Sequence, residues 1–426
     1  MPIRGASTPT GRQSVASEHR FQPTLISDRP TSRRVLIVAP QPFYQDRGTP
    51  ICVRQVIDAL VQLDYVVDVL TYPVGGDLTG RPVRVIRSSN PFRISHVPVG
   101  FSFRKLLLDT TLFLQLRRLL RSRNYHAVHA VEEAAFGAVY WGHRYGIPVI
   151  YDMHSSMAEQ MSDIPPFRNA LARSAFRKAE RWLLERATRV ISSAGLATRV
   201  REVAPQARVR EWEFSAEFPP TQPGEVEELR TSLAIEPKQK VVLYSGTFER
   251  YQGLSLLLKA VPLVLAHEPE AVFVLVGVDG EHAAARIERI AAEIPGHRLR
   301  LVSRQPREKI PVFFALAEVL VSPRVYGGNL PLKVFDYLAA GRPIVATDIP
   351  SHRSVLNDER AILVAPEPEA MAGAILRVLK DSDVAQGMAN AGKEFAIQRL
   401  AWGRFVASVA ELYRSIEPVR PEPRSP

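Results

Sequence analysis

VSPRVYGGNLPLKVFDYLAAGRPIVATDI, residues 321–349, is the stretch around which the rest of the chain is read. An apolar run beginning at Val319 stops at Pro323, and a Gly-Gly-Asn loop follows. Leu332, Phe335, Leu338 and Ala339 then recur at helical spacing. Asn329 is a candidate N-cap, Gly341 ends the helix, and Pro343 opens a second strand. Gly327 and Gly328 let backbone N–H groups approach a ligand, because no Cβ stands in the way. A helix start behind such a turn suits an anion, since unpaired N–H groups and the helix dipole act together. Lys333 adds a full positive charge. Asp336, three residues on, falls on nearly the same face, where its carboxylate can accept hydrogen bonds from a sugar diol. A cation near phosphates and a carboxylate near a ribose suit a nucleotide diphosphate. The plainer alternative is an ordinary helix–strand unit with a solvated lysine and aspartate.

Upstream of this stretch, KVVLYSGTFERYQGLSLLLKAV reads as a strand, a turn at Gly246 and a helix beginning near Leu254. AVFVLVGVDG is a further strand with a glycine turn, and it lacks the G-x-G-x-x-G fingerprint of a dinucleotide site. Residues 216–237 lose their apolar periodicity and are read as a linker between two domains, 34–215 and 238–395. The first domain opens with VLIVAP, a loop containing Arg47 and Gly48, and a helix from about Ile51. This strand–turn–helix start predicts a doubly wound sheet with its ligands beyond the carboxyl ends of the strands. Gly48 then either brings backbone near a phosphate or only ends the turn. Glu132 follows a short strand and either reaches an acceptor hydroxyl or is solvated. His154 stands at the end of the strand IPVIYDM.

Residues 103–123 form a basic amphipathic helix with one acid, Asp109. Such a helix lies on an anionic membrane or packs on the core with a solvated basic rim. Residues 396–415 are read as a last helix able to cross back to the first domain. Residues 1–33 and 416–426 are read as disordered tails. A 426-residue chain is long enough for two full cores. Its single cysteine, Cys52, excludes an internal disulfide and fits a reducing compartment. No apolar run is long enough for a transmembrane helix, and the N-terminus has no secretory apolar region. A net charge of +11 points to anionic partners, but no nucleic-acid-binding signature accompanies it. The expected place is therefore the cytoplasm, with a peripheral seat on the inner membrane face through 103–123 as an option.

FDYLAAGRPIVAT resembles the donor-site signature of the family 4 glycosyltransferases, retaining enzymes of the GT-B fold. That signature has two glutamates. Asp336 stands in place of the second, and Gly328 stands where the first would be. The loop before Gly48-Thr49-Pro50 and the phrase YDMHSS resemble the same family's first glycine loop and the segment facing the reacting sugar. The resemblance implies two Rossmann-like domains facing across a cleft, an α/β architecture. It implies a metal-independent hexosyltransferase with no cofactor, whose partners are a nucleotide sugar and a glycan, polysaccharide or lipid-linked acceptor. The donor would be held by Arg47, Gly48, Gly246, Arg250, the backbone of Gly327, Gly328, Asn329 and Leu330, and by Lys333 and Asp336. Arg250 is included because Gln252 occupies the position where the family usually has lysine. His154, Arg250 and Lys333 would carry the catalysis, with His154 and Glu132 on the acceptor side. No D-x-D pair stands at a strand end to bind a metal. The alternatives are a sugar-nucleotide epimerase or hydrolase of the same fold, or a non-catalytic membrane-associated protein that retains it.

Overall fold

The computed structural model describes residues 33–43, 48–76, 78, 80–97, 102–122, 124–162, 164, 167–218, 220–222, 224–278, 287, 289–292, 294–326 and 331–416. The tails read as disordered lie outside these residues, apart from Arg33 and Ile416.

Two parallel sheets organise the chain. The first contains β1 (Arg34–Ala39), β2 (Val66–Thr71), β3 (Val83–Arg87), β4 (Ala127–Val131), β5 (Val149–Met153), β6 (Arg189–Ser192) and β7 (Val209–Glu211). Its strand order is β3-β2-β1-β4-β5-β6-β7. The second contains β8 (Lys240–Ser245), β9 (Ala271–Val278), β10 (Leu299–Ser303), β11 (Val319–Ser322), β12 (Ile344–Thr347) and β13 (Ile362–Val364), in the order β10-β9-β8-β11-β12-β13. Helices cover both faces, so the central strands are buried on both sides and run as unbroken apolar stretches, VLIVA in β1 and VVLY in β8.

Each sheet winds outward in both directions from its first strand, so each has a switch point, β1 beside β4 and β8 beside β11. A crevice opens beyond the strand ends at such a point. Around the sheets lie α1 (Gly48–Gln62), α2 (Phe103–Ser122), α3 (Ala134–Tyr145), α4 (Met157–Ser162), α5 (Ala170–Arg186), α6 (Ala194–Val203), α7 (Glu225–Ser232), α8 (Leu254–Leu265), α9 (Ile310–Leu316), α10 (Leu332–Ala340), α11 (Pro350–Arg353), α12 (Pro368–Lys380), α13 (Ser382–Arg399) and α14 (Trp402–Arg414).

Two elements differ from the sequence reading. Part of the expected linker is the helix α7, whose Val226 and Leu229, with Leu233 beyond it, pack on the second lobe's core beside Phe313 and Phe314. The spacing of these three residues puts them on one helix face, and burying them outweighs the polar composition of the segment. The second departure is at α10. It begins at Leu332 with Pro331 at its cap, not after a cap at Asn329. The residue before a proline is disfavoured in helical conformation, so Leu330 is a poor first helical residue.

After Leu400 the chain turns, and α14 packs on α1 of the first lobe. Phe405, Val406, Val409, Leu412 and Tyr413 join the core formed by β1, β4 and α1. Trp402 Nε1 donates to Gln62 Oε1 at 2.8 Å, and Arg210 pairs with Glu411 at 2.6 Å. The last helix thus ties the two lobes together.

Candidate active site

The two switch points face each other across a cleft of about 1540 Å³. The starts of α1 and α10 meet there. A Cβ on Gly48 would come within 3.6 Å of Leu332 Cδ1. Gly48 and Thr49 of α1 and Leu332 and Lys333 of α10 therefore line the same space, at the positive ends of the two helix dipoles.

On the second-lobe wall, Gly246 follows β8 with φ +147°, and a Cβ there would lie 2.9 Å from Lys333 Nζ. Only glycine leaves room for this ammonium to sit against the turn. Lys333 Nζ is buried, lies 4.1 Å from the Tyr244 ring centroid, and has no hydrogen-bond partner among the described residues. Burial, with the nearby Arg324 charge, pushes its pKa well below the usual lysine value. Arg324 is itself 4% exposed and lies over the Tyr251 ring, with Nε donating to the Tyr326 carbonyl at 3.0 Å. Arg324 and Lys333 thus line one wall, and among the described residues no carboxylate is paired to Lys333. Asp336 lies further along α10 and accepts two hydrogen bonds from Arg307, at 3.2 and 3.0 Å. Burial raises its pKa while Arg307 opposes the rise. Arg304 and Gln305 line the same end of the cleft.

The first-lobe wall is acidic. Glu132 directly follows β4 and lies in the left-handed region at φ +50°, a conformation that non-glycine residues adopt chiefly where function or packing demands it. Its carboxylate accepts from Ser155 Oγ at 2.9 Å. Burial raises its pKa to about 7, with Glu133 and Asp152 adding to the rise. His154 follows β5, with Nε2 3.2 Å from Asp152 Oδ2 and its ring stacked on Phe214. Burial alone would lower its pKa, but the Asp152 charge and contact hold it above the ordinary value. Among the described residues no group of three His, Cys, Asp or Glu side chains is arranged to hold a metal ion.

The cleft brings together Gly48, Glu132, His154, Gly246, Lys333 and Asp336. Arg250 is not among its lining. It is exposed, opens a short 3-10 turn, and lines a separate hollow with Leu254 and Ser255. That turn directs Gln252, two residues on, into the cleft instead. Arg47, Gly327, Gly328, Asn329 and Leu330 lie outside the described residues. Sequence reasoning did not single out Arg324 or Arg307. The first stands directly after the strand-ending Pro323, and a cation at that place was the available signal. Nothing local marks Arg307 as the partner of Asp336, 29 residues away.

Two doubly wound lobes with a cationic seat between their facing helix starts define the GT-B class of architecture. Residues 225–395 match the family model described as glycosyl transferases group 1, and residues 47–210 the one described as glycosyltransferase family 4. The chain belongs to the family 4 glycosyltransferases of the GT-B fold. It is 26% identical over 180 residues to the phosphatidyl-myo-inositol mannosyltransferase of Mycolicibacterium smegmatis, covering 42% of this chain and 45% of that protein. It is 27% identical over 213 residues to the D-inositol 3-phosphate glycosyltransferase of Corynebacterium urealyticum, covering 48% and 50%. The chain thus spans about half the length of these curated relatives. Among solved structures, HepE of Anabaena in complex with UDP-glucose superposes with a TM-score of 0.72 at 16% identity, over 90% of this chain and 100% of that one.

Proposed function

We propose that the protein is a retaining, metal-independent glycosyltransferase. It moves a sugar from a nucleoside-diphosphate sugar to a hydroxyl of a glycan, polysaccharide or lipid-linked acceptor. The observation that carries this reading is Lys333 Nζ, buried against Gly246 and beside Arg324 with no acceptor among the described residues. A buried ammonium without a partner is costly, and an anionic ligand removes that cost. The diphosphate sits against this pair and the start of α10, and the ribose faces the Arg307–Asp336 pair. As the bond from the anomeric carbon to the phosphate oxygen breaks, charge grows on the diphosphate and these fixed cations stabilise it. The acceptor oxygen bonds to the anomeric carbon on the same face, and its proton passes to the departing phosphate. His154 and Glu132 face this point from the other lobe and hold the sugar and acceptor hydroxyls. The UDP-glucose bound by HepE and the inositol acceptors in the relatives' names support the substrate classes, and neither base nor acceptor follows from them.

The test is a thermal-shift screen over UDP, GDP and ADP sugars, followed by an assay of nucleoside-diphosphate release with added EDTA. One donor should raise the melting temperature, because only the folded protein binds it. Lys333→Ala should cut turnover on the order of 10²-fold, the scale for removing one charge-stabilising group. Full turnover in Lys333→Ala would overturn the site assignment, and arrest by EDTA would overturn metal independence.

The same proposal places the protein on the inner membrane face from the cytoplasm. Phe103, Leu106, Leu107 and Leu114 of α2 are exposed, Phe103 by 78%, with Arg104, Arg118 and Arg121 also exposed. Apolar side chains with a basic rim suit an anionic bilayer. No helix among the described residues is long and apolar enough to cross a membrane.

A further inference from the structure

We infer that Tyr413, on the last helix, is a positioning residue for the cleft: its hydroxyl fixes the tautomer of His129, so that Asp152 keeps its charge for His154. The inference rests on the active-site reading of His154 given above. Tyr413 is fully buried, with Oη 2.9 Å from His129 Nδ1 and the two rings nearly parallel. His129 Nε2 lies 3.2 Å from Asp152 Oδ2, and the same oxygen lies 3.2 Å from His154 Nε2. A line of polar groups therefore runs from α14, through β4 and β5, to the cleft. Neither Tyr413 nor His129 lines the cleft itself.

The direction of each hydrogen follows from elementary chemistry. The Asp152 carboxylate only accepts, so Nε2 of a neutral His129 carries the hydrogen that faces it, and the phenol hydroxyl donates to the lone pair left on Nδ1. A neutral imidazole has one N–H and one lone pair, so a donor at Nδ1 puts the hydrogen on Nε2, aimed at Asp152. Asp152 then receives a neutral N–H from His129, and its charge is left to hold His154. Without the hydroxyl, His129 has two options. It can carry its hydrogen on Nδ1 and turn a lone pair toward Asp152, or it can take a second proton and compete for that carboxylate. Both weaken the hold on His154. The other titratable groups facing this line are few. Among the described residues they are Glu132 beside Asp152 and His154, with Glu133 next to it, Cys52 and Tyr151 within reach of the Asp152 charge, Tyr65 beside the Tyr413 ring, and His126, whose Nε2 is 3.5 Å from the Tyr413 carbonyl.

Nitrogen NMR of histidine-labelled wild-type protein reads the tautomer directly. His129 should show Nδ1 as a bare acceptor and Nε2 as protonated at neutral pH, and the opposite tautomer or a doubly protonated ring would overturn the inference. In Tyr413→Phe, which keeps the ring packing, the titration midpoint of His154 should fall by about half a unit or more. The kcat should fall on the order of tenfold, the scale for a partner that orients a functional histidine, with donor KM little changed. In a His129→Gln background the amide supplies its own N–H to Asp152, so adding Tyr413→Phe should change neither quantity by more than about twofold. A Tyr413→Phe protein with wild-type melting temperature and an unmoved His154 midpoint would overturn the inference, as would equal effects in the two backgrounds. If no sugar nucleotide is turned over at all, the transferase reading fails while the NMR measurements still decide the positioning role.

Discussion

Arg324 and Arg250 both stand near the carboxyl ends of strands, yet only Arg324 reaches the cleft. The difference is one of turn geometry: Gln252 faces inward, so Arg250, two residues earlier on a tight turn, faces out. Replacing Arg324 by Ala should weaken nucleoside-diphosphate binding by about tenfold or more in calorimetry, since a hydrogen bond to a charged group is worth about 1.5–3 kcal/mol. Arg250→Ala should bind within about twofold of wild type. A second residue-scale prediction concerns Glu132. Its folded pKa is about 7 against an ordinary 4.5. In that window the folded state holds the extra proton, so the group's contribution to stability falls as pH rises from 4.5 to 7. Glu132→Gln should therefore match wild type near pH 4.5 and be more stable at pH 8, by roughly 1–2 kcal/mol after allowing for partial exposure of the side chain. Urea titrations at the two pH values would show it, and an equal difference at both would contradict it.

At the scale of elements, the strand runs and glycine turns were readable because buried parallel strands must be apolar and helix starts need particular residues. That Lys333 stands at the start of α10 on the cleft was readable for the same reason, from the helical spacing of the residues that follow it. The exact helix start was not, because Pro331 acts on the residue before it. Nor was the pairing of Asp336 with Arg307, which depends on how β10 and α10 come together. Helix α7 was hidden by the polar composition of 216–237. In α2, Leu108, Leu112, Leu116, Leu119 and Leu120 are buried, as the core-packing reading requires, while the opposite face, on which the proposed membrane contact rests, is both apolar and basic. Changing Phe103, Leu106 and Leu107 together to Ser should lower binding to anionic vesicles by at least about tenfold with the melting temperature unchanged, since these side chains are already exposed. Undiminished co-sedimentation would refute the membrane contact.

On the scale of the whole molecule, the sequence shows two halves and a last helix able to cross back to the first domain, but not what that helix packs against. The structure joins them with α14, which carries Phe405 into an aromatic cluster with Trp212 and Phe214, and Phe214 in turn supports the His154 ring. Phe405→Ala should cost about 3–5 kcal/mol, as emptied aromatic core sites do, and should lower turnover as well as the melting temperature. A stability loss below about 1 kcal/mol would mean that the last helix is only loosely docked. The account's central claim is that the diphosphate of the donor lies between the two lobes at the start of α10. A crystal structure with the nucleoside diphosphate chosen by the thermal-shift screen tests this most directly. The account predicts a phosphate oxygen within about 3.2 Å of Lys333 Nζ, against Gly246. A diphosphate seated elsewhere, with Lys333 still unpartnered, would contradict it.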